Sequence, residues 1–209
     1  FDEGPADSFA TVRLALTGAA KMPEEATRPR QQRFGLILRE GYGLTEASPV
    51  VTSSAGLTPK VGSVGKVLAG MQVRLVDENG DDALEGDSGE IWVKGPNVFK
   101  GYLDEPEATA RVLTADGWLR TGDIAVVDDD GYLYLVDRAK DLVIVSGFNV
   151  YPAEVEEVLM EHPDVLEVGV VGVPHPDFGE GVVAVVVAKT GAALDGTALI
   201  AALKTQIAN

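Results

Sequence analysis

The spacing of apolar residues changes near residue 137, and this change limits the possible folds more than any other feature of the sequence. Between residues 62 and 100, apolar side chains alternate with polar ones in short runs, as at Met71, Val73, Leu75, Ile91 and Val93. Such alternation predicts half-buried strands. Beyond residue 137, the runs at 165–173 and 182–188 are almost continuously apolar, which predicts strands covered by helices on a face. A β-rich region is therefore followed by one of alternating strands and helices.

The flanking segments are shorter and less regular. Residues 12–16 and 35–38 predict strands on either side of a charged helix at 23–33, and residues 41–46 predict a tight loop that glycine permits. A short helix is expected at 105–113, with Pro106 in its first turn. The remaining expected elements are strands at 125–127, 132–136 and 142–145 and helices at 152–161 and 197–207.

Composition excludes several classes of function. The formal net charge of −16 argues against nucleic acid and anionic membranes as partners. Because the sequence has no cysteine, it has no disulfides, thiolate metal sites or cysteine nucleophiles. No apolar stretch approaches the roughly 20 residues that span a bilayer, and the first residues do not resemble a secretory signal. We expect a cytoplasmic protein without a transmembrane segment.

Four motifs follow one another along the chain: YGLTE at 42–46, GEIWVKGPNVFKGYL at 89–103, GWLRTGD at 117–123 and DRAKDLVIVSGFNVYPAEVE at 137–156. In the first, Tyr42 offers a flat face to a purine and Gly43 allows the backbone close approach. Thr45 adds a hydroxyl, and Glu46 adds a hard oxygen ligand suited to Mg²⁺. Taken alone, a segment this short is more often a turn, and an aspartate such as Asp123 is more often a cap or a turn former.

Together the four motifs resemble the adenylate-forming (acyl-CoA synthetase, AMP-binding) superfamily, and most closely its fatty-acyl-CoA ligases. The resemblance extends over nearly the whole chain, which would be about two fifths of a family member. It implies an ATP-dependent acid–thiol ligase that makes an acyl-adenylate from a carboxylic, expectedly fatty, acid and then transfers the acyl group to coenzyme A. The implied cofactors are ATP or AMP, Mg²⁺ and coenzyme A. The implied partners are the small-molecule substrates and the remainder of the enzyme.

The resemblance also assigns roles around the nucleotide. Tyr42 would stack on adenine with Gly43 beside it, Thr45 would contact the α-phosphate, and Glu46 would bind magnesium, which makes Thr45 and Glu46 the expected catalytic residues. Asp123 would accept hydrogen bonds from both ribose hydroxyls, a task that suits a carboxylate. The small residues expected to line the other side of the adenine pocket are Gly18, Ala19 and Ala20.

The resemblance also covers four positions from residue 138 onward. Arg138 would contact ribose and phosphate, although a surface ion pair with a neighbouring aspartate is the plainer reading. Lys140 falls at the family's interdomain hinge, and Gly147 lies in a glycine loop, residues 146–149, that would line the thiol tunnel. His175 is read as structural, because no carboxylate or nucleophile stands at a recognisable spacing.

The implied architecture is α/β and α+β. Residues 1–136 would be the C-terminal part of a large α/β domain, with a distorted β-barrel-like subdomain at about 61–136. Residues 138–209 would form an incomplete, mobile α+β C-terminal domain behind a hinge at 137–140. Trp118, in GWLRTGD, is expected to pack in the core and not to contact the substrate.

Two lysine sites of the family are not found in the sequence, the phosphate loop upstream and a lysine near the family's C-terminus. We therefore expect the isolated chain to be inactive in adenylation. Two alternatives remain open: an AMP-binding remnant without catalysis, and an acyl-AMP ligase that delivers to a carrier-protein thiol. Luciferase-type oxidation is disfavoured, because Ile144 stands where light-emitting members have lysine. Acyl chain length, oligomeric state and the choice between coenzyme A and a carrier protein are undecided at this stage.

Overall fold

The computed structural model describes residues 5–18 and 24–206, which divide into two units, Phe1–Leu135 and Val136–Asn209. Among the described residues the first unit contains two four-stranded sheets, of which the second ends with a strand that continues to Arg138, and the second unit contains one further sheet. This mixed α/β and α+β arrangement confirms the predicted fold class. No helix among the described residues is long and apolar enough to cross a membrane.

The first sheet has the strand order β1-β2-β3-β4, formed by β1 (Ala15–Thr17), β2 (Leu38–Gly43), β3 (Val50–Ser53) and β4 (Lys66–Val67). Strands β1 and β2 are parallel and are connected through helix α1 (Glu24–Phe34), and the other pairs are antiparallel. The predicted loop at 41–46 is wrong at its start, because residues 41–43 complete β2 and pair with β3. A 3₁₀ turn, Thr45–Ala47, then leads towards β3, a strand that the sequence reading missed.

The second sheet is an open antiparallel meander with the order β5-β6-β7-β8, and it is not closed into a barrel. Its strands are β5 (Gln72–Val76), β6 (Gly89–Lys94), β7 (Leu119–Val127) and β8 (Leu133–Arg138), and helix α2 (Pro106–Val112) lies between β6 and β7 in the chain. The alternation predicted for β6 is confirmed, since Ile91 and Val93 are fully buried. With Leu119, Ala125 and Leu133 they belong to the core of the first unit.

Cations and indoles alternate across β5, β6 and the start of β7, in what we call the cation–indole ladder (Arg120, Trp92, Arg74, Trp118 and Lys94). The Arg120 guanidinium carbon lies 4.7 Å from the centre of the Trp92 ring, and the Lys94 amine lies 5.7 Å from that of Trp118. Arg74 contacts both rings, at 5.8 and 5.3 Å. Trp118 is only half-buried, so its expected place in the core was wrong. Cation–π contact explains its position, since an indole face attracts a cation.

The second unit is an antiparallel sheet with two helices packed on one face. The strand order is β10-β9-β12-β11, formed by β9 (Val143–Val145), β10 (Phe148–Val150), β11 (Val165–His175) and β12 (Gly179–Ala188). Helices α3 (Pro152–Met160) and α4 (Gly196–Gln206) contribute Val155, Leu159 and Leu199 to its core. On the opposite face the strands expose Val171, Val183, Val185 and Val187. The continuous apolar runs are therefore covered on one face only.

Candidate functional site

A hydrogen bond joins two of the predicted site residues across 81 positions of sequence. The Tyr42 hydroxyl, at the end of β2, donates to Asp123 Oδ2 on β7 over 2.6 Å. Tyr42 is 7 % exposed, so the residue is held inside the first unit and little of it is open to a ligand. Asp123 lies in the middle of β7, so it is not the helix cap or turn former that such an aspartate more often is.

Thr52 on β3 fixes the backbone of Tyr42 and was missed by the sequence reading. It is fully buried, and its hydroxyl donates to the Val64 carbonyl at 2.7 Å and accepts the Tyr42 N–H at 3.3 Å. A buried hydroxyl with both bonding capacities satisfied stabilises the segments that it joins. No motif identifies Thr52, because its partners are defined only by the fold.

Gly43 has a different reason to be glycine from the one expected. A Cβ at this position would lie 1.8 Å from the Pro49 carbonyl oxygen and 2.9 Å from the Cα of Val50. The close approach is therefore made by the chain's own backbone, where the 3₁₀ turn returns to β3. Gly18 is less constrained, since its Cβ would be 3.3 Å from the Gly41 carbonyl oxygen. Ala19 and Ala20 lie outside the described residues.

Glu46 is held by Tyr102 of the motif at 89–103, a contact that the sequence reading did not anticipate. The Tyr102 hydroxyl donates to Glu46 Oε1 at 2.7 Å, and the Phe99 N–H donates to the Glu46 carbonyl at 2.7 Å. The hydrogen bond to the Glu46 carboxylate, with some burial, raises the pKa of the Tyr102 phenol. Thr45 is exposed beside Glu46 at the start of the 3₁₀ turn. The only sequence signal for Tyr102 was its place in the motif at 89–103.

Glu46 could hold a magnesium ion only together with other ligands. Within residues 5–18 and 24–206, no group of three or more histidine, cysteine or acidic side chains is arranged to bind a metal. Mg²⁺ commonly takes one or two protein carboxylates and completes its shell with phosphate oxygens and water. One carboxylate, oriented by Tyr102 through a single oxygen, suits a Mg²⁺ that arrives with a nucleotide.

The backbone around Asp123 leaves the regular strand path. Gly122 has a φ of 75°, in the left-handed region that favours glycine. The Thr121 hydroxyl donates to the Ile91 carbonyl at 2.8 Å and accepts the Asp123 N–H at 3.1 Å. This irregularity is a β-bulge between β6 and β7, a device that redirects side chains.

The other three predicted residues belong to the second unit. Both Arg138 and Lys140 are exposed; Arg138 directly follows Asp137 as the last residue of β8, and Lys140 lies in the turn after it. The Asp137 carboxylate accepts the Arg138 N–H at 2.7 Å and the Ala153 N–H, in the first turn of α3, at 3.0 Å. The Asp137 carboxylate therefore binds the backbone at both ends of the segment 138–153. The assignment of Lys140 as a hinge stays a prediction.

Gly147 lies at the turn between β9 and β10. It has a φ of 86°, and a Cβ there would have nothing within 4 Å. Ser146 before it also has a positive φ, of 52°. The predicted glycine loop at 146–149 is therefore confined to Ser146 and Gly147, because Phe148 already begins β10.

Known proteins match both units. The AMP-binding enzyme family matches residues 2–103, and the AMP-binding enzyme C-terminal domain matches residues 154–209. A long-chain-fatty-acid–CoA ligase of Yersinia pestis is 48% identical over 83% of this chain and 31% of its own length. A feruloyl-CoA synthase of an Amycolatopsis species is 45% identical over 96% of this chain and 41% of its own. ATP-bound MatB from Rhodopseudomonas palustris is 43% identical, with a TM-score of 0.86 over 94% of this chain and 39% of that one.

These matches and the fold define a member of the adenylate-forming superfamily. The chain belongs to the AMP-binding enzyme family, and the relatives that it matches include acyl-CoA ligases. It spans about a third to two fifths of the length of these relatives, which are 31% and 41% covered.

Proposed function

We propose that this chain supplies the ribose, α-phosphate and magnesium contacts of an ATP-dependent acyl-CoA ligase whose substrate is a fatty acid. In such a reaction the acid's carboxylate oxygen attacks the α-phosphorus and pyrophosphate leaves. The sulfur of coenzyme A then attacks the acyl carbon and AMP leaves. The observation that carries the proposal is the Tyr42–Asp123 hydrogen bond, which supports a preformed acceptor for the ribose diol beside an aromatic ring.

Each of the other first-unit residues has a role that fits its position. Thr45 is exposed at the turn and can donate its hydroxyl to the α-phosphate. Glu46 is held by Tyr102 and can ligate Mg²⁺, which when bound neutralises charge on the phosphates. Family membership supports these assignments, and the ATP bound to the MatB relative supports a nucleotide as ligand.

The acyl acceptor is assigned to the second unit. Arg138 would contact ribose and phosphate, Lys140 would be the hinge, and the open turn at Gly147 would let a pantetheine arm pass close to the backbone. Names of relatives favour coenzyme A over a carrier-protein thiol, since the two curated relatives described above are both named for coenzyme A. The same names include an aromatic acid, so the fatty-acid assignment rests on the long-chain ligase having the higher identity.

The isolated chain is proposed to bind AMP without catalysing adenylation, since it spans well under half of its relatives. Titration calorimetry with AMP tests the binding. Asp123→Ala should weaken affinity by at least about tenfold, because hydrogen bonds to a charged group contribute about 1.5–3 kcal/mol each. Asp129→Ala, which removes the same charge from an exposed turn residue, is the matched control.

Pyrophosphate release with ATP, Mg²⁺ and fatty acids of several lengths tests the second half of the proposal. We expect no turnover from the 209-residue chain. Robust turnover would contradict the proposed division between binding and chemistry. Equal AMP affinity in the Asp123→Ala and Asp129→Ala variants would contradict the assignment of the ribose contact.

A further inference from the structure

Glu90 on β6 accepts two N–H groups, one with each carboxylate oxygen. Oε1 accepts the backbone N–H of Gly122 at 3.0 Å, and Oε2 accepts the indole N–H of Trp92 at 2.8 Å. The sequence motif at 89–103 contains Glu90, and the proposed function gives it no role. Because Gly122 immediately precedes Asp123, Glu90 holds the backbone directly before the proposed ribose acceptor.

The bulge explains why a side chain is needed here. Glu90 pairs with Ile124 and Trp92 pairs with Arg120, so Ile91 alone faces the three residues 121–123. A bulge removes local backbone N–H groups from the ladder, and each needs another acceptor. The Glu90 carboxylate supplies that acceptor for Gly122, the residue whose φ of 75° makes the detour.

The Glu90 carboxylate is in turn bound by Trp92, a member of the cation–indole ladder. Trp92 donates to it, and the Trp92 ring lies under the Arg120 guanidinium at 4.7 Å. The contacts therefore run from the ladder to Glu90, from Glu90 to Gly122 and, one residue on, to Asp123. On its other side Asp123 receives the Tyr42 hydroxyl.

We propose that Glu90 is a positioning residue for the ribose contact, because it fixes the bulge that directs Asp123. The proposal rests on the proposed function, in which Asp123 binds the ribose diol. Glu90 does not contact the nucleotide in this role. Its effect on affinity is therefore specific to the ribose hydroxyls and acts through the direction of one carboxylate.

Glu90→Gln tests the proposal with nearly unchanged shape. A glutamine offers one acceptor oxygen and one NH₂ group where both facing groups are N–H donors, so one contact is lost and replaced by two opposed donors. We expect AMP affinity to fall about tenfold, the equivalent of one hydrogen bond of about 1.4 kcal/mol. Glu85→Gln, at an exposed position on the preceding turn, is the matched control.

Adding Trp92→Phe to Glu90→Gln distinguishes positioning from general stabilisation. Without the indole donor, the glutamine oxygen can turn to Gly122 and the NH₂ group no longer meets an opposing N–H. Most of the lost AMP affinity should return in the double variant, and Trp92→Phe alone completes the cycle. A purely structural role predicts the opposite, a double variant that binds no better than Glu90→Gln.

A nucleotide without the diol gives the second readout. Wild-type chain should prefer AMP over 2′,3′-dideoxy-AMP, and Glu90→Gln should remove most of this preference while binding the dideoxy nucleotide as the wild type does. If Asp123→Ala loses the preference and Glu90→Gln keeps it, the positioning role is wrong and the proposed function stands.

If the wild-type chain does not bind AMP, or Asp123→Ala binds it unchanged, the proposed function is wrong. Whether Glu90 directs the Asp123 side chain is then decided by NMR on the ligand-free chain. Glu90→Gln should shift both the Gly122 amide and the Asp123 side-chain carboxyl resonance, and the double variant should return them towards their wild-type positions. An Asp123 resonance that does not move would overturn the inference.

Discussion

The hydrogen bond from Tyr42 to Asp123 can be removed by deleting one oxygen atom. In Tyr42→Phe the ring keeps its buried place, 7 % exposed, while Asp123 loses a donor at 2.6 Å. Hydrogen bonds to charged groups contribute about 1.5–3 kcal/mol to stability. Asp123 is half-buried, so water replaces part of the contact, and we expect a loss of about 1–2 kcal/mol.

Urea denaturation of the full chain, followed by circular dichroism, measures this loss. Tyr132→Phe is the matched comparison, because Tyr132 is 6 % exposed and its hydroxyl donates to an uncharged acceptor, the Thr58 carbonyl, at 2.8 Å. That bond should contribute about 0.5–1.5 kcal/mol. The charged acceptor should therefore make Tyr42→Phe the more destabilising of the two, with an unchanged dependence on urea concentration.

A Tyr42→Phe variant that is as stable as wild type, or less affected than Tyr132→Phe, would refute the reasoning. It would mean that the phenol and the carboxylate are satisfied as well by water as by each other. The acceptor for the ribose diol would then not be preformed, and the observation on which the proposed function rests would lose its weight.

Three further predictions concern separate parts of the chain. The Lys60 ammonium holds the pKa of Asp128 at about 2, so Lys60→Met should raise this pKa towards about 3.9, as measured by NMR titration. In the wild type the ionised Asp128 stabilises the fold above pH about 4, and this stability is lost as the pH falls towards 2. Lys60→Met should lack it, as measured by thermal melting at each pH. Gly43→Ala should destabilise by about 3 kcal/mol or more in urea, because its Cβ would meet the Pro49 carbonyl. Asp137→Ala should cost about 1 kcal/mol and speed amide exchange in the first turn of α3.

Each of these has a control that changes the same chemistry elsewhere. Lys100→Met should leave the pKa of Asp128 at about 2, and a lowered pKa that persists in Lys60→Met would contradict the assigned cause. Gly169→Ala, where a Cβ meets nothing within 4 Å, should be tolerated. Asp141→Ala should not change exchange in α3, and equal exchange in both aspartate variants would exclude the capping role of Asp137.

Local patterns predicted the elements whose cause is local. Alternating side chains identified β6, and Pro106 marked the start of α2, because both signals lie within a few residues. The sequence reading failed where distant segments decide the conformation. Residues 41–43 read as a loop because of their glycines, yet pairing with β3 makes them strand.

The candidate site shows the same limit. Motifs identified Tyr42 and Asp123 individually, but their contact spans 81 positions, and that of Glu46 with Tyr102 spans 56. Residues that only support others, such as Thr52, carry no signal of their own in a single sequence. Their roles depend on which backbone groups the fold leaves without a ladder partner.

The cation–indole ladder also makes the two units distinguishable in solution. Both tryptophans of the chain are in it, so all indole fluorescence originates in the first unit, and the second unit has Tyr151 as its one tyrosine. Indole emission therefore monitors the first unit by itself, while far-ultraviolet dichroism monitors the backbone of both. Coincident transitions would indicate one cooperative unfolding event, and separate transitions would give the stability of each unit without cutting the chain.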